Sequence, residues 1–208
     1  MPDRRLVLAS ASPARLGVLR GAGIDPVVRV SGVDEDALVA TLTGVTPVEL
    51  VTALAAAKAH AVAADILAEH PDAVVVGCDS MLHIGGELVG KPGSADAAFQ
   101  RWQAMAGGTG ELITGHAIVR LDQGIPTAAV SGAQTTAVRF STPSTEEIAA
   151  YVGTGEPLQV AGGFTLDGRG GWFVDGIEGD PSSVIGISLP LTRRLLAEVG
   201  VPVVSLWT

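Results

Sequence analysis

Near the start of the chain, Ser10-Ala11-Ser12-Pro13-Ala14-Arg15 sets two hydroxyls and a guanidinium within about one turn of a predicted helix start. The apolar run Leu6-Val7-Leu8-Ala9 before it predicts a short buried strand. Ser12 suits the N-cap, and Pro13 suits the first helical position, where the missing N–H would be unpaired anyway. A helix N-terminus presents free backbone N–H groups and a partial positive charge to an anion. Together these features make a seat for a phosphate group. The same residues also read as a plain strand–helix junction with Arg15 in solvent, and a run this short does not decide between the two.

Other reactive side chains stand at predicted element ends. Asp79-Ser80 follows the apolar run Ala73–Cys78, where a rigid strand would aim a partly desolvated carboxylate as a base or metal ligand. A turn-starting Asp is the competing reading. Lys91 projects from Gly90-Lys91-Pro92, a loop whose Gly and Pro fix the backbone; an ordinary solvated lysine fits as well. Glu35 lies in the acidic cluster Asp34-Glu35-Asp36, just past the second predicted strand, where a solvated face is the default. Lys58 interrupts an Ala-rich helix and reads by default as a snorkelling side chain. Cys78 ends an apolar strand with no neighbouring cation in sequence to lower its pKa, so burial is expected rather than nucleophilic use. His60, His70, His83 and His116 have no metal-ligand spacing and read as surface or core-edge residues.

The elements that must position these groups alternate through the first half. Strands are predicted over 5–9 and 27–30, and a helix over 13–22. Thr46-Pro47-Val48-Glu49 is a capping box opening a long Ala-rich helix to about residue 69. A buried strand follows over 73–78, then a hairpin of 81–84 and 87–89 about Gly85-Gly86. Ser94 caps a helix to about Ala106. Two long strands, 111–121 and 127–140, are joined by a Gln-Gly-Ile-Pro turn. Ser144 caps a helix to about Val152, and a Gly-rich stretch carries a short strand at Trp172-Phe173-Val174. A helix over 189–199 and a strand over 201–206 close the chain. Mixed pairing with helices on the faces predicts an α/β fold.

The bulk numbers narrow the function. At 208 residues, 47% hydrophobic and 17% charged, the chain is globular and has no linker long enough to separate domains. Gly, Pro or charge interrupts every apolar run before it reaches membrane-span length, and the run after Arg4-Arg5 is too short for a signal peptide, so a cytoplasmic location is expected. The single cysteine rules out an internal disulfide. A net charge of −9 disfavours a nucleic acid polymer as partner. A small phosphorylated ligand is compatible with it, since distant carboxylates are screened over a Debye length of about 8 Å.

The joint order of these motifs is more telling than any one of them. Ser10-Ala11-Ser12-Pro13-Ala14-Arg15, Asp34-Glu35, Ala57-Lys58-Ala59, Gly77-Cys78-Asp79-Ser80, Gly90-Lys91-Pro92, Gly155-Glu156-Pro157, Ala161-Gly162 and Ile177-Glu178-Gly179 closely resemble the Maf family from about Leu6 to Leu191. These are cytoplasmic nucleoside triphosphate pyrophosphatases, also named septum-formation inhibitors. The resemblance implies one Maf-like domain over 1–208. It implies an α/β fold with an elongated mixed sheet flanked by helices and two lobes around a cleft, distantly similar to the inosine-triphosphatase group. The implied reaction cuts a nucleoside triphosphate between its α and β phosphates, with Mg²⁺ or Mn²⁺ as cofactor and a homodimer as the working form. Ser10, Ser12 and Arg15 would grip phosphate; Glu35 and Asp79 would hold the metal; Asp79, Lys58, Lys91 and Glu35 would do the chemistry. Ser80 replaces the usual Thr and keeps its hydroxyl. Val160 stands where many members have Lys. Asp167 stands where the dTTP/UTP-preferring branch has Gln, so Asp167 and Ser80 are the base-reading candidates and that branch's selectivity is not carried over. The family's second name raises an alternative: a nucleotide-binding regulator of cell division that needs no turnover.

Overall fold

Apolar runs and capped helix starts alternate along the first half of the chain, and the fold follows them as an α/β structure about a seven-stranded mixed sheet flanked by helices. The computed structural model describes residues 4–208. In chain order the elements are β1 (Arg5–Leu8), α1 (Pro13–Gly21), β2 (Val27–Val28), α2 (Glu35–Thr41), α3 (Pro47–Asp65), β3 (Ala73–Ile84), β4 (Glu87–Val89) and α4 (Ala95–Met105). Then come β5 (Thr109–Asp122), β6 (Ile125–Phe140), α5 (Thr145–Gly153), β7 (Val174–Glu178), α6 (Pro181–Ile185) and α7 (Leu189–Glu198). The sheet order is β2-β1-β3-β5-β6-β7, with β4 paired to β3. β1 lies parallel to both β2 and β3, whereas the β3–β4 and β6–β7 pairs are antiparallel. The chain divides into two compact units: residues 1–79, 114–134 and 186–208 form the first, and 80–113 and 135–185 the second.

In the first unit the two-residue period of β1 and β3 sorts their side chains onto two faces. Leu6, Leu8, Val74, Val76 and Cys78 pack with Leu19 of α1 and with Leu191, Leu195 and Leu196 of α7. Val7, Ala9, Ala73 and Val75 pack on the other side with Ala55, Ala59, Val62 and Ala63 of α3. Helix α3 comes unusually close to the sheet because two strand residues beneath it have no side chain. A Cβ at Gly77 of β3 would overlap Ala55 O and lie 2.9 Å from Ala59 N. A Cβ at Gly115 of β5 would overlap Val51 O and lie 2.6 Å from Thr52 N. Contrary to the sequence expectation, α3 is long and apolar enough to span a membrane by length and composition. Its Ala and Val face is committed to the sheet and a buried lysine sits along it, the pattern of a core helix.

The second unit packs around Trp102 of α4, whose ring meets Phe140, Tyr151 and Phe173 edge-to-face at 5.6–5.8 Å between centroids. Its indole N–H is satisfied by Gly163 O at 2.8 Å.

Several expectations are corrected. The strand at 73–78 does not stop before Asp79: β3 runs unbroken to Ile84, pairing with β1 in its first part and β4 in its last. Asp79 and Ser80 are poor strand formers taken into it by tertiary contacts. Residues 201–206 form a 3₁₀ turn at Val203–Leu206 instead of a strand, with Pro202, which has no N–H to donate to a ladder, just before it. Trp172 and Phe173 belong to a 3₁₀ turn, and β7 begins at Val174. The Asp34-Glu35-Asp36 cluster is a helix start, with Asp34 capping α2 by accepting from Ala37 N at 2.9 Å.

Candidate active site

A four-residue turn joins β1 to α1, and Ser12 caps α1 by accepting from Arg15 N. The Ser10 hydroxyl accepts from Ser12 N at 3.2 Å and from Arg15 Nη1 at 3.1 Å. Both serine oxygens thus act as acceptors, which leaves each O–H proton to donate outward. Arg15 also donates Nη1 to Cys78 O and Nε to Gly186 O, both at 2.8 Å. Gly186 sits at φ +132°, and a Cβ there would lie 3.1 Å from Arg15 Nε. The guanidinium therefore ties the β1–α1 turn to β3, one residue before Asp79, and to the segment leading into α7.

Close packing of α3 on Gly77 carries Lys58 to the same region. Its ammonium lies 2.6 Å from Asp79 Oδ1 and 2.9 Å from Glu35 Oε1. Lys58 and Asp79 are buried, with side chains 8% and 10% exposed, whereas Glu35 on the first turn of α2 is 45% exposed. Burial pushes the Asp79 carboxyl above its ordinary pKa, against the pull of the Lys58 and Arg15 charges. Asp79 Oδ2 is buried without a hydrogen-bond partner among the described residues. In Cys78, burial pushes the thiol up to about 11, so it is neutral at pH 7.

Of the sequence candidates, Ser10, Ser12, Arg15, Glu35, Lys58 and Asp79 belong to the first unit, and the structure brings them together through the contacts just given. Ser80, Lys91 and Asp167 belong to the second unit. There Lys91 is exposed on a loop held by Gly162 N and Arg101 Nη1 donating to Gly90 O, and by Gly93 N donating to Leu158 O. Asp167 is exposed on a tight loop folded around the Glu156 carboxylate, which accepts from Thr165 Oγ1 at 2.6 Å and Gly170 N at 3.1 Å.

Two residues escape sequence reading. Gly77 makes the Lys58–Asp79 approach possible; its signal is a lone Gly inside a β-branched strand, which marks close backbone approach. His116, expected at the surface or core edge, is fully buried. Its Nδ1 lies 3.1 Å from Thr114 O and must donate, so Nε2 accepts from Ser188 N at 2.7 Å: the ring is neutral and holds the N-cap of α7.

Residues 5–199 match the family described as Maf-like protein. The chain belongs to the Maf family. A relative from Saccharopolyspora erythraea is 68% identical over 98% of this chain and 97% of its own length. One from Nocardia farcinica is 62% identical over 97% and 96%, and one from Mycolicibacterium gilvum 56% identical over 98% and 99%. All three are named nucleoside triphosphate pyrophosphatase. The resemblance read from the ordered motifs is borne out, and this Maf-family chain is matched over nearly all of its relatives' length.

The site's own chemistry fits a divalent cation. Asp79 Oδ2 is an orphaned buried acceptor, and the half-exposed Glu35 carboxylate converges on the same ammonium. These are hard oxygen donors of the kind Mg²⁺ and Mn²⁺ take. Among the described residues no three His, Cys, Asp or Glu side chains cluster as a ready-made cage. Mg²⁺ commonly binds through one or two carboxylates and completes its shell with water and substrate phosphate.

Proposed function

We propose that this Maf-family chain hydrolyses a nucleoside triphosphate at the α–β phosphoanhydride, giving a nucleoside monophosphate and pyrophosphate. The observation that carries the reading is the Asp79 carboxylate: buried, with one oxygen on Lys58 and the other unspent. Ser10 Oγ, Ser12 Oγ and the Ala14 N–H at the start of α1 bind phosphate oxygens, and Arg15 holds Ser10 in position while adding its charge. Lys58 neutralises charge that develops on the leaving pyrophosphate. Glu35 and Asp79 hold the Mg²⁺ or Mn²⁺. That cation, when bound, supplies charge neutralisation and a water of lowered pKa. Water gives its oxygen to one phosphoryl group, the bond to the bridging oxygen breaks, and the proton leaves to solvent. Ser80 and Asp167 read the base; an ionised carboxylate accepts but does not donate, which suits a base offering N–H groups.

The family match and the names of its relatives support a nucleotide hydrolase. The charge of −9 supports free nucleotides over a nucleic acid polymer. We take the chain to work as a cytoplasmic homodimer with no membrane partner. The test is pyrophosphate release from dTTP, UTP, methylated GTP and inosine triphosphate with Mg²⁺ or Mn²⁺. Asp79→Asn should lose about 10²-fold or more of the turnover. Full turnover by Asp79→Asn would overturn the assignment. Tight nucleotide binding without turnover by the unmodified protein would point instead to a regulator.

A further inference from the structure

In the structure the Lys58 ammonium is already engaged by acidic side chains. Its two ion-pair contacts are both to carboxylates, and both carboxylates are those that fit the divalent cation. Without a counter-charge, Glu35 and Asp79 would face each other as like charges, with Asp79 buried. A buried unpaired carboxylate is costly, and a cation in the gap between the two removes that cost.

We propose that Lys58 is a resident substitute for the divalent cation: its ammonium holds the Glu35–Asp79 pair together until metal arrives, and metal binding displaces it. This deepens the proposed function and rests on the reading that Glu35 and Asp79 bind the metal. Three features support it. The ammonium bridges two carboxylates from separate elements, α2 and β3, as a bound cation would. Asp79 keeps an oxygen unspent, so the pair is not saturated by the lysine. Lysine is a point charge on a flexible four-carbon stem and can retreat, whereas a guanidinium fork would be fixed in place. Displacement has a use, because the freed ammonium is then available to the oxygens of a triphosphate. Metal and triphosphate should therefore bind with positive coupling, each releasing what the other needs.

The chain has two lysines, Lys58 and Lys91, so an amine-directed reagent has an internal reference. Mn²⁺ binding is measured by electron paramagnetic resonance, without nucleotide, on the unmodified protein, Lys58→Met and Asp79→Asn. Removing a competing positive charge a few ångströms away should tighten Mn²⁺ by about tenfold or more in Lys58→Met. Asp79→Asn should weaken it. Equal or weaker binding in Lys58→Met overturns the inference and leaves the metal reading intact. Failure of the unmodified protein to bind Mn²⁺ at all overturns both. Because Lys58→Met could fail to fold, a second measurement uses the unmodified protein. The rate of amine acetylation at Lys58 relative to exposed Lys91, read by mass spectrometry, should rise several-fold on adding Mg²⁺. A ratio unchanged under saturating Mg²⁺ also overturns the inference.

Discussion

Gly77→Ala is the sharpest test of how the fold builds the site. A Cβ at position 77 would lie 2.9 Å from Ala59 N and 3.1 Å from Ala59 Cβ, and it would overlap Ala55 O. Comfortable separation for such atoms is about 3.5–4.0 Å, so clearing Ala55 O, the nearest of the three, makes α3 retreat by more than about 1 Å. Neither side can yield cheaply, because both are backbone. Overpacking of this kind costs about 1–3 kcal/mol, and the upper end is expected here. For a chain of this size about 3 kcal/mol lowers Tm by roughly 6–12 °C. The same retreat stretches the Lys58–Asp79 contact from its 2.6 Å. A displacement near 1 Å at a reacting centre can remove about 10²-fold in rate. Thermal unfolding and pyrophosphate release are the two assays. Gly17→Ala is the control: that glycine lies in α1, a methyl group added there would meet nothing within 4 Å, and the change should stabilise by about 0.5–1 kcal/mol. If Gly77→Ala melts and turns over like the unmodified protein, the close approach of α3 is not what sets the site.

Three further outcomes are expected. The Asp122 carboxyl is held well below the usual range by hydrogen bonds from Arg120, Thr127 and Arg4. It therefore contributes stability above its unfolded pKa of about 3.9 that is lost as pH falls through the lower folded value. In urea titrations at stepped pH, Asp122→Asn should flatten the acid side of the stability profile; an unchanged acid limb would refute this. Cys78, fully buried and neutral at pH 7, should resist a thiol-specific disulfide reagent in the native protein and react once unfolded. Rapid native reaction would contradict the packing of β3. His116→Phe strips Ser188 N–H of its acceptor inside the core and should cost about 1–3 kcal/mol in urea unfolding. Stability equal to the unmodified protein would mean that this bond contributes nothing.

Local signals are legible wherever the chemistry is local. The Thr46–Glu49 and Ser144–Glu147 capping boxes both form, each with reciprocal bonds between residues three apart. The hairpin at Gly85-Gly86 forms with both glycines at positive φ. Ser12 caps α1 as expected, though the destination of the Arg15 guanidinium is out of reach of the sequence, since Gly186 stands 171 residues away. Lys58 shows the same limit. From its own helix it looks like a lone charge among alanines; its partner on β3 lies 21 residues on. Asp79 reads as a strand terminator because intrinsic preference says so, and the ion pair with Lys58 overrides that preference. The α2 helix goes unread in the sequence, because the acidic cluster is taken by default as a solvated face and only the observed Asp34 cap marks it as a helix start. His116 carries no local sign of burial, because its partner is a backbone N–H in a distant segment.

The tie from Arg15 to Gly186 has a consequence for synthesis. The hydroxyls of the β1–α1 turn are made well before one of the two carbonyls that fix their arginine, which lies 171 residues further along the chain. Pairings so distant along the chain form late. A nascent chain that has not yet reached Gly186 would therefore carry every serine of the seat while its arginine lacks one of the two carbonyls that fix it.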